Sequence, residues 1–158
     1  MIKIADLKAV PFFQELSEDE LKKLVKVMEE KSFKKGDILF NEGEVGKALF
    51  LLVEGEVEVV KTMKGWYKET LAIFKKGRLF GELSFLSGRN HSALARATQD
   101  VKVYVLTKDQ YDRFEKSDPV IAQKIMKVIA LTLSTALQKM NERFLHMVNY
   151  ILGEESGA

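Results

Sequence analysis

The sequence predicts a mainly β protein: an antiparallel β jelly roll (double-stranded β-helix) with N-terminal helices and a long C-terminal helix. Two observations predict this fold class. Glycines separate short apolar runs across the middle of the chain, and helical periodicity both precedes and follows that region. A jelly roll is favoured among small β folds because it leaves a cavity between its sheets. The 158 residues are enough for one core, so residues 1–158 are expected to form a single domain.

The N-terminal segment, about residues 5–30, predicts one or two short helices. Ser17 and Glu20 have the spacing of a capping box, in which each side chain bonds the backbone N–H of the other residue. Apolar residues then recur at helical spacing, at Leu21, Leu24, Val25 and Met28. A helix is therefore expected to begin directly after Ser17.

The β region is expected to span residues 33–107 and to contain about eight strands, judged from the turn spacing. The turns are predicted at eight glycines: Gly36, Gly43, Gly46, Gly55, Gly65, Gly77, Gly81 and Gly88. Several of the runs between them alternate apolar and polar residues, as half-buried strands do. The clearest runs are Ile38–Phe40, Leu49–Val53, Val57–Val60, Thr70–Phe74 and Val101–Leu106.

The C-terminal segment, residues 108–152, returns to helical periodicity. A short helix is predicted at 108–116, and a long one is predicted to start with Asp118 as N-cap and Pro119 in the first turn. No glycine or proline interrupts residues 120–152, a length of about 50 Å as a helix. That length exceeds the barrel before it, so part of the helix is expected to pack on a second copy in a homodimer.

Composition excludes several classes of function. The chain has no cysteine, which removes disulfides and thiolate chemistry, and only two histidines, which removes a histidine-rich metal site. The net charge of +2 comes from interleaved charges and does not favour a nucleic-acid partner. No uninterrupted apolar run approaches the roughly 20 residues that span a bilayer, so a cytoplasmic protein without a membrane partner is expected.

Residues 80–97 carry the most informative motif. Phe80-Gly81-Glu82-Leu83-Ser84 is followed by His91-Ser92-Ala93 and Ala95-Arg96-Ala97. The motif resembles the phosphate-binding cassette of cyclic nucleotide-binding domains, the family of the catabolite activator protein and the regulatory subunit of protein kinase A. Residues 35–44 and 49–57 resemble the family's earlier strands and turns, and the order of elements matches along nearly the whole chain.

The resemblance implies the residues of a ligand site. Gly81 is expected to let the backbone approach the ligand, and Glu82 to accept the ribose 2′-hydroxyl. Amides near the cassette are expected to face the phosphate. Further residues are expected to line the base or the phosphate. The full set of expected ligand-binding residues is Gly81, Glu82, Leu83, Ser84, Arg89, His91, Ser92, Ala93, Val59, Leu71, Ala72, Thr132 and Thr135.

His91 departs from the family, which usually has arginine at this position. A guanidinium is always charged and binds a phosphate through two donors, whereas an imidazole offers one and is largely neutral at pH 7. Three outcomes are open. His91 binds the phosphate with its pKa raised by the anion, Arg89 reaches across from the same turn, or the domain has kept its fold and lost the nucleotide.

The sequence therefore predicts a regulatory sensor domain, not an enzyme, with cyclic AMP or cyclic GMP as ligand and no other cofactor. Cyclic AMP is the first choice, and binding is expected to reposition the C-terminal helix. The alternative is a degenerate domain of the same fold that acts as a protein-interaction and dimerisation module. A third interpretation, a cupin-like enzyme on the same barrel, needs a cluster of histidines that the chain lacks.

Overall fold

The computed structural model describes residues 1–64 and 66–153, so the predicted turn at Gly65 and the last five residues lie outside the described part. The chain opens with α1 (Ile4–Lys8), a 3-10 helix (Pro11–Glu15) and α2 (Glu18–Val27). The predicted capping box of α2 is present: the Glu20 amide donates to Ser17 Oγ at 3.2 Å, and the Ser17 amide donates to Glu20 Oε2 at 2.8 Å.

Within the described residues, eight strands form two four-stranded antiparallel sheets. One sheet has the strand order β1-β8-β3-β6 and the other has the order β2-β7-β4-β5. The bounds are β1 Glu29–Phe33, β2 Ile38–Phe40, β3 Ala48–Glu54, β4 Glu56–Met63, β5 Tyr67–Lys75, β6 Leu79–Phe80, β7 Leu94–Ala97 and β8 Val101–Thr107. The β region begins at Glu29 rather than at residue 33, because α2 ends at Val27.

Alternation along β3 and β8 divides the interior into two cores. Phe50 and Leu52 face the other sheet and pack with Val57, Ala95 and the odd-numbered valines of β8. Leu49 and Leu51, on the opposite face, pack with the helices at both ends of the chain. Successive side chains of a strand point to opposite faces, so one run of apolar residues serves both cores.

The part of the chain that the structure describes has three further helices: α3 (Glu82–Ser87), α4 (Lys108–Ser117) and α5 (Pro119–Leu152). The α3 helix inside the cassette was not predicted from the sequence. Asp118 occupies the predicted N-cap position of α5, but its side chain makes no capping bond. Its carboxylate instead accepts from Lys23 Nζ at 2.6 Å, which ties the start of α5 to α2.

The apolar stripe of α5 is divided along its length. Ile121, Ile125 and Ile129 are buried in the helical core. From Leu137 onward the apolar side chains are exposed except for the half-buried Val148, with Phe144 at 58%. By length and composition α5 could also cross a bilayer, since its most apolar window has a mean hydropathy of 1.5. A third of that window is buried in the fold, and a core helix passes the same test, so the expectation of no membrane partner stays a prediction.

Candidate ligand-binding site

The cassette begins where β6 ends at Phe80 and the backbone turns sharply at Gly81. Gly81 has a φ of +81°, in the left-handed region, and a Cβ there would lie 2.8 Å from the carbonyl oxygen of Ala48. Both facts require glycine at this position. The turn lets α3 start at once, with Glu82 as its first residue.

The side chain of Glu82 lines a small cavity and is 8% exposed. Burial raises the pKa of this carboxyl group above its usual range, because a charged carboxylate loses hydration there. The residue's own amide and the charge of Arg78 oppose this rise. Glu82 is thus a desolvated acceptor beside the cavity, the environment in which a hydrogen bond to a hydroxyl group is strong.

His91 is held on all sides. Its ring stacks on Phe40 with centroids 3.7 Å apart, and Nδ1 lies 3.1 Å from Ser84 Oγ. A Cβ at Gly46 would lie only 2.7 Å from His91 Cε1 and 2.1 Å from Ser84 Cβ, so only glycine fits beside this pair. The backbone of His91 also bonds Gly43 and Glu44, its amide donating at 2.7 Å and its carbonyl accepting at 2.9 Å.

Burial lowers the pKa of His91, since the cationic form of a buried imidazole loses hydration, while nearby Glu44 opposes the effect. The ring is therefore neutral at pH 7. In the ligand-free protein the position that resembles the family's arginine thus carries no charge.

The cavity has a volume of about 110 Å³. Eight of the thirteen residues predicted for the site line it, together with three phenylalanines. The eight are Val59, Gly81, Glu82, Leu83, Ser84, His91, Ser92 and Ala93, and the phenylalanines are Phe40, Phe74 and Phe80. The fold thus brings the two halves of the cassette to one cavity on the inner side of β4.

The other five predicted residues lie elsewhere. Thr132 and Thr135 donate their hydroxyls to the carbonyls of Val128 and Leu131 in their own helix, at 2.9 and 3.0 Å. Arg89 is exposed, and Leu71 is 47% exposed on β5. Ala72 lines a separate cleft between β5 and α5. None of the five contributes to the cavity wall in this conformation.

One charged pair beside the cavity was missed from the sequence. Lys61 on β4 donates from Nζ to the Ser92 carbonyl at 2.6 Å and also bonds the Glu42 carboxylate. Glu42 accepts in addition from the Thr62 amide at 3.1 Å. Since Lys61 and Ser92 are separated by 31 positions in the chain, only the pairing of β4 with β7 brings them together.

Several known proteins are similar to this chain. The chain is similar to a cyclic AMP receptor protein from Thermus thermophilus, with 29% identity over 130 residues, 82% of this chain and 60% of the relative. It is also similar to a regulatory subunit of cAMP-dependent protein kinase from Hypocrea atroviridis, with 35% identity over 68% of this chain. The chain spans only 22% of that second relative.

Among solved structures, a cyclic nucleotide-binding domain from Methylobacillus flagellatus matches with a TM-score of 0.75 and 26% identity, covering 98% of this chain and 83% of that one. The sequence profile of the cyclic nucleotide-binding domain matches residues 30–118, which is more than half of the chain. The chain therefore belongs to the cyclic nucleotide-binding domain family.

Proposed function

We propose that this chain is a regulatory domain that binds a cyclic nucleotide, with cyclic AMP as first choice, in the cavity at the cassette. One observation carries the proposal: Gly81, where the backbone leaves no room for a side chain, and the buried acceptor Glu82 lie next to each other in the wall of one cavity. In the proposed complex, Glu82 accepts a hydrogen bond from the ribose 2′-hydroxyl, and backbone amides near Ser84, Ser92 and Ala93 donate to the phosphate. The chain acts without catalysis.

Binding in this site requires opening. The cavity of about 110 Å³ is smaller than the roughly 300–1,000 Å³ of typical small-molecule pockets. The ligand therefore has to displace part of the cassette, and α3 is the helix of the cassette whose first residues, Glu82 to Ser84, line the cavity. A ligand that binds only the open form shifts the population toward that form, which is the requirement for a switch.

A continuous set of contacts connects the cassette with α5. Phe85 of α3 packs edge-on against Tyr111 of α4, with ring centroids 5.6 Å apart. The Tyr111 hydroxyl donates to the carbonyl of Ala122 in α5 at 3.1 Å, and all three residues are buried. Movement of α3 thus changes the packing of α5, and we propose that this is how ligand binding repositions the C-terminal helix.

The exposed half of α5 supports a homodimer through this helix. Its apolar side chains beyond Leu137 are in contact with water in a single chain, which is unfavourable for a contiguous stripe. A cytoplasmic location, without a nucleic-acid or membrane partner for this chain, accompanies the proposal.

The second candidate function is a domain of the same fold that no longer binds nucleotide and acts as an interaction module through α5. The neutral, tightly packed His91 favours it, since no lysine or arginine is among the cavity-lining residues of the described chain.

Isothermal titration calorimetry of the whole chain with cyclic AMP and cyclic GMP separates the two candidates. The sensor is expected to bind at least one of them, with slower hydrogen exchange at the cassette and altered exchange in α5. Absence of heat with both ligands at millimolar concentration, with the fold intact by circular dichroism, would refute the sensor and leave the second candidate.

A further inference from the structure

Among the described residues, no lysine or arginine lines the cavity at Ser92 and Ala93, the end where we propose that the phosphate binds. His91 is neutral and its Nδ1 lies against Ser84. Arg89 is exposed and its side chain is not part of the cavity wall. Arg78 lies toward Glu82, with its guanidinium 5.0 Å from the centroid of Phe74. In the ligand-free protein, a positive charge at this end of the cavity therefore comes from behind the wall.

In the described part of the chain, Lys61 is the cation that bonds the cavity wall at this end. Its Nζ donates to the carbonyl of Ser92 at 2.6 Å, and both Ser92 and Ala93 line the cavity. This carbonyl and the Ala93 N–H belong to the same peptide unit. In a planar trans peptide the two groups point in opposite directions. Because Lys61 holds the Ser92 carbonyl oxygen toward its own ammonium group, the Ala93 N–H points away from Lys61.

A cation on the carbonyl also polarises the peptide. The bond from Lys61 withdraws electron density from the Ser92 oxygen, which makes the N–H on the other edge a stronger donor, as in cooperative hydrogen-bond chains. The charge itself adds an attraction for an anion, and side chains only partly in water are screened less than exposed ones. The Lys61 side chain is 35% exposed and that of Glu42 is 30% exposed.

Glu42 limits this effect. Its carboxylate bonds Lys61, and the same interaction lowers the pKa of Glu42, so it is ionised at neutral pH. The pair is close to neutral as a whole. Loss of the carboxylate charge leaves the lysine charge uncompensated beside the cassette, whereas loss of the lysine leaves a lone carboxylate there.

We infer that Lys61, acting through the Ser92–Ala93 peptide and restrained by Glu42, is the positioning residue that supplies positive charge for the ligand's phosphate in place of the family's arginine. This inference rests on the proposed function and specifies its anion-recognition end. It predicts effects of opposite sign for the two members of one ion pair, limited to ligands that carry the phosphate.

The test compares cyclic AMP with adenosine, which lacks the phosphate, by calorimetry on the whole chain. Lys61→Met is expected to weaken cyclic AMP binding by about three- to tenfold, the range for one net hydrogen bond. Glu42→Gln is expected to strengthen it severalfold. Adenosine affinity is expected to stay within about twofold for both variants. Lys61→Arg is expected to retain cyclic AMP affinity. Lys68→Met, opposite Thr62 on the same hairpin, is the control for loss of a nearby charge.

The outcomes separate the inference from the proposed function. If Lys61→Met and Glu42→Gln both weaken the binding of cyclic AMP and of adenosine to the same extent, the pair only stabilises the end of β4. The assignment of Lys61 is then overturned while nucleotide binding stands. Unchanged cyclic AMP affinity in Lys61→Met overturns the assignment as well. A wild type that binds neither ligand refutes the proposed function, and the inference falls with it.

Discussion

Replacing His91 by arginine tests the departure of this chain from its family. The imidazole is closely packed: its ring centroid lies 3.7 Å from that of Phe40, and its Nδ1 lies 3.1 Å from Ser84 Oγ. A guanidinium at this position makes a charge-assisted contact with a cyclic phosphate, worth about 1.5–3 kcal/mol. This corresponds to roughly ten- to hundredfold tighter cyclic AMP binding at pH 8. An increase near the lower end of this range is expected, because the longer arginine side chain does not fit into the close contact that His91 makes with Gly46.

The pH dependence has a definite sign. A bound phosphate favours the protonated imidazole and raises the pKa of His91 above its free-state value. Binding then takes up a proton between the two pKa values. Cyclic AMP affinity is expected to rise as the pH falls from above the bound-state pKa toward the free-state pKa, and to level off below it. His91→Arg and His91→Ala are both expected to remove this dependence.

The free energy of unfolding also depends on pH through His91, but in the opposite direction to ligand binding. Burial places the folded-state pKa of His91 below the unfolded value of about 6.5, with Glu44 as the neighbouring charge that opposes the shift. Between the two values the unfolded chain binds more protons. The contribution of His91 to the free energy of unfolding is therefore fully present above about pH 6.5, and it is lost as the pH falls toward the folded-state pKa.

Calorimetric titrations of the wild type and both variants between about pH 5.5 and 8 provide the measurement, since this range spans the usual histidine titration. Thermal melts over the same range follow the stability. A steep pH dependence of binding that persists in His91→Ala would place the titrating group elsewhere and refute the reasoning. Equal affinities of all three proteins would show that position 91 does not contact the phosphate.

Three further predictions concern other parts of the chain. Glu82→Gln is expected to weaken cyclic AMP binding by about 1.5–3 kcal/mol, the value for a charge-assisted bond, and unchanged affinity in calorimetry would remove Glu82 from the site. Leu137→Lys is expected to yield monomers in sedimentation, since an unpaired charge in an apolar contact is costly. Gln138→Lys, the matched control, is expected to remain a dimer. A monomeric wild type would refute the dimer proposal. Gly46→Ala is expected to lower the free energy of unfolding by about 1–3 kcal/mol, and denaturant unfolding as stable as wild type would contradict the close packing at Ser84.

Local features of the fold could be predicted because they depend on neighbours in sequence. The capping box at Ser17 needs only residues three positions apart, and the long helix needs only the absence of glycine and proline. The fold class followed from alternation and turn spacing, and the similar solved structures confirm it. Asp118 shows the limit, since a partner 95 positions away takes the carboxylate that was expected to cap α5.

The residues that do not reach the cavity depend on features that sequence patterns do not contain. Val59 pairs with Ala72 and Val60 with Thr70, so Leu71 has no partner across the strands. Such a bulge changes the face of the sheet on which the following residues lie, and no pattern in β5 indicates its position. The hydroxyls of threonines inside a helix bond back to the preceding turn, which removes Thr132 from the candidates for ligand contact in this conformation.

The division of α5 into an anchored and a free half makes it a lever. Thr132 is its last buried residue, and about 30 Å of helix extends from there to Leu152. A tilt of about 10° at the buried end moves the far end by about 5 Å, the rise of roughly one helical turn. A change too small to alter the fold at the cassette is therefore large enough at the tip of the helix to replace one set of side-chain contacts with the next.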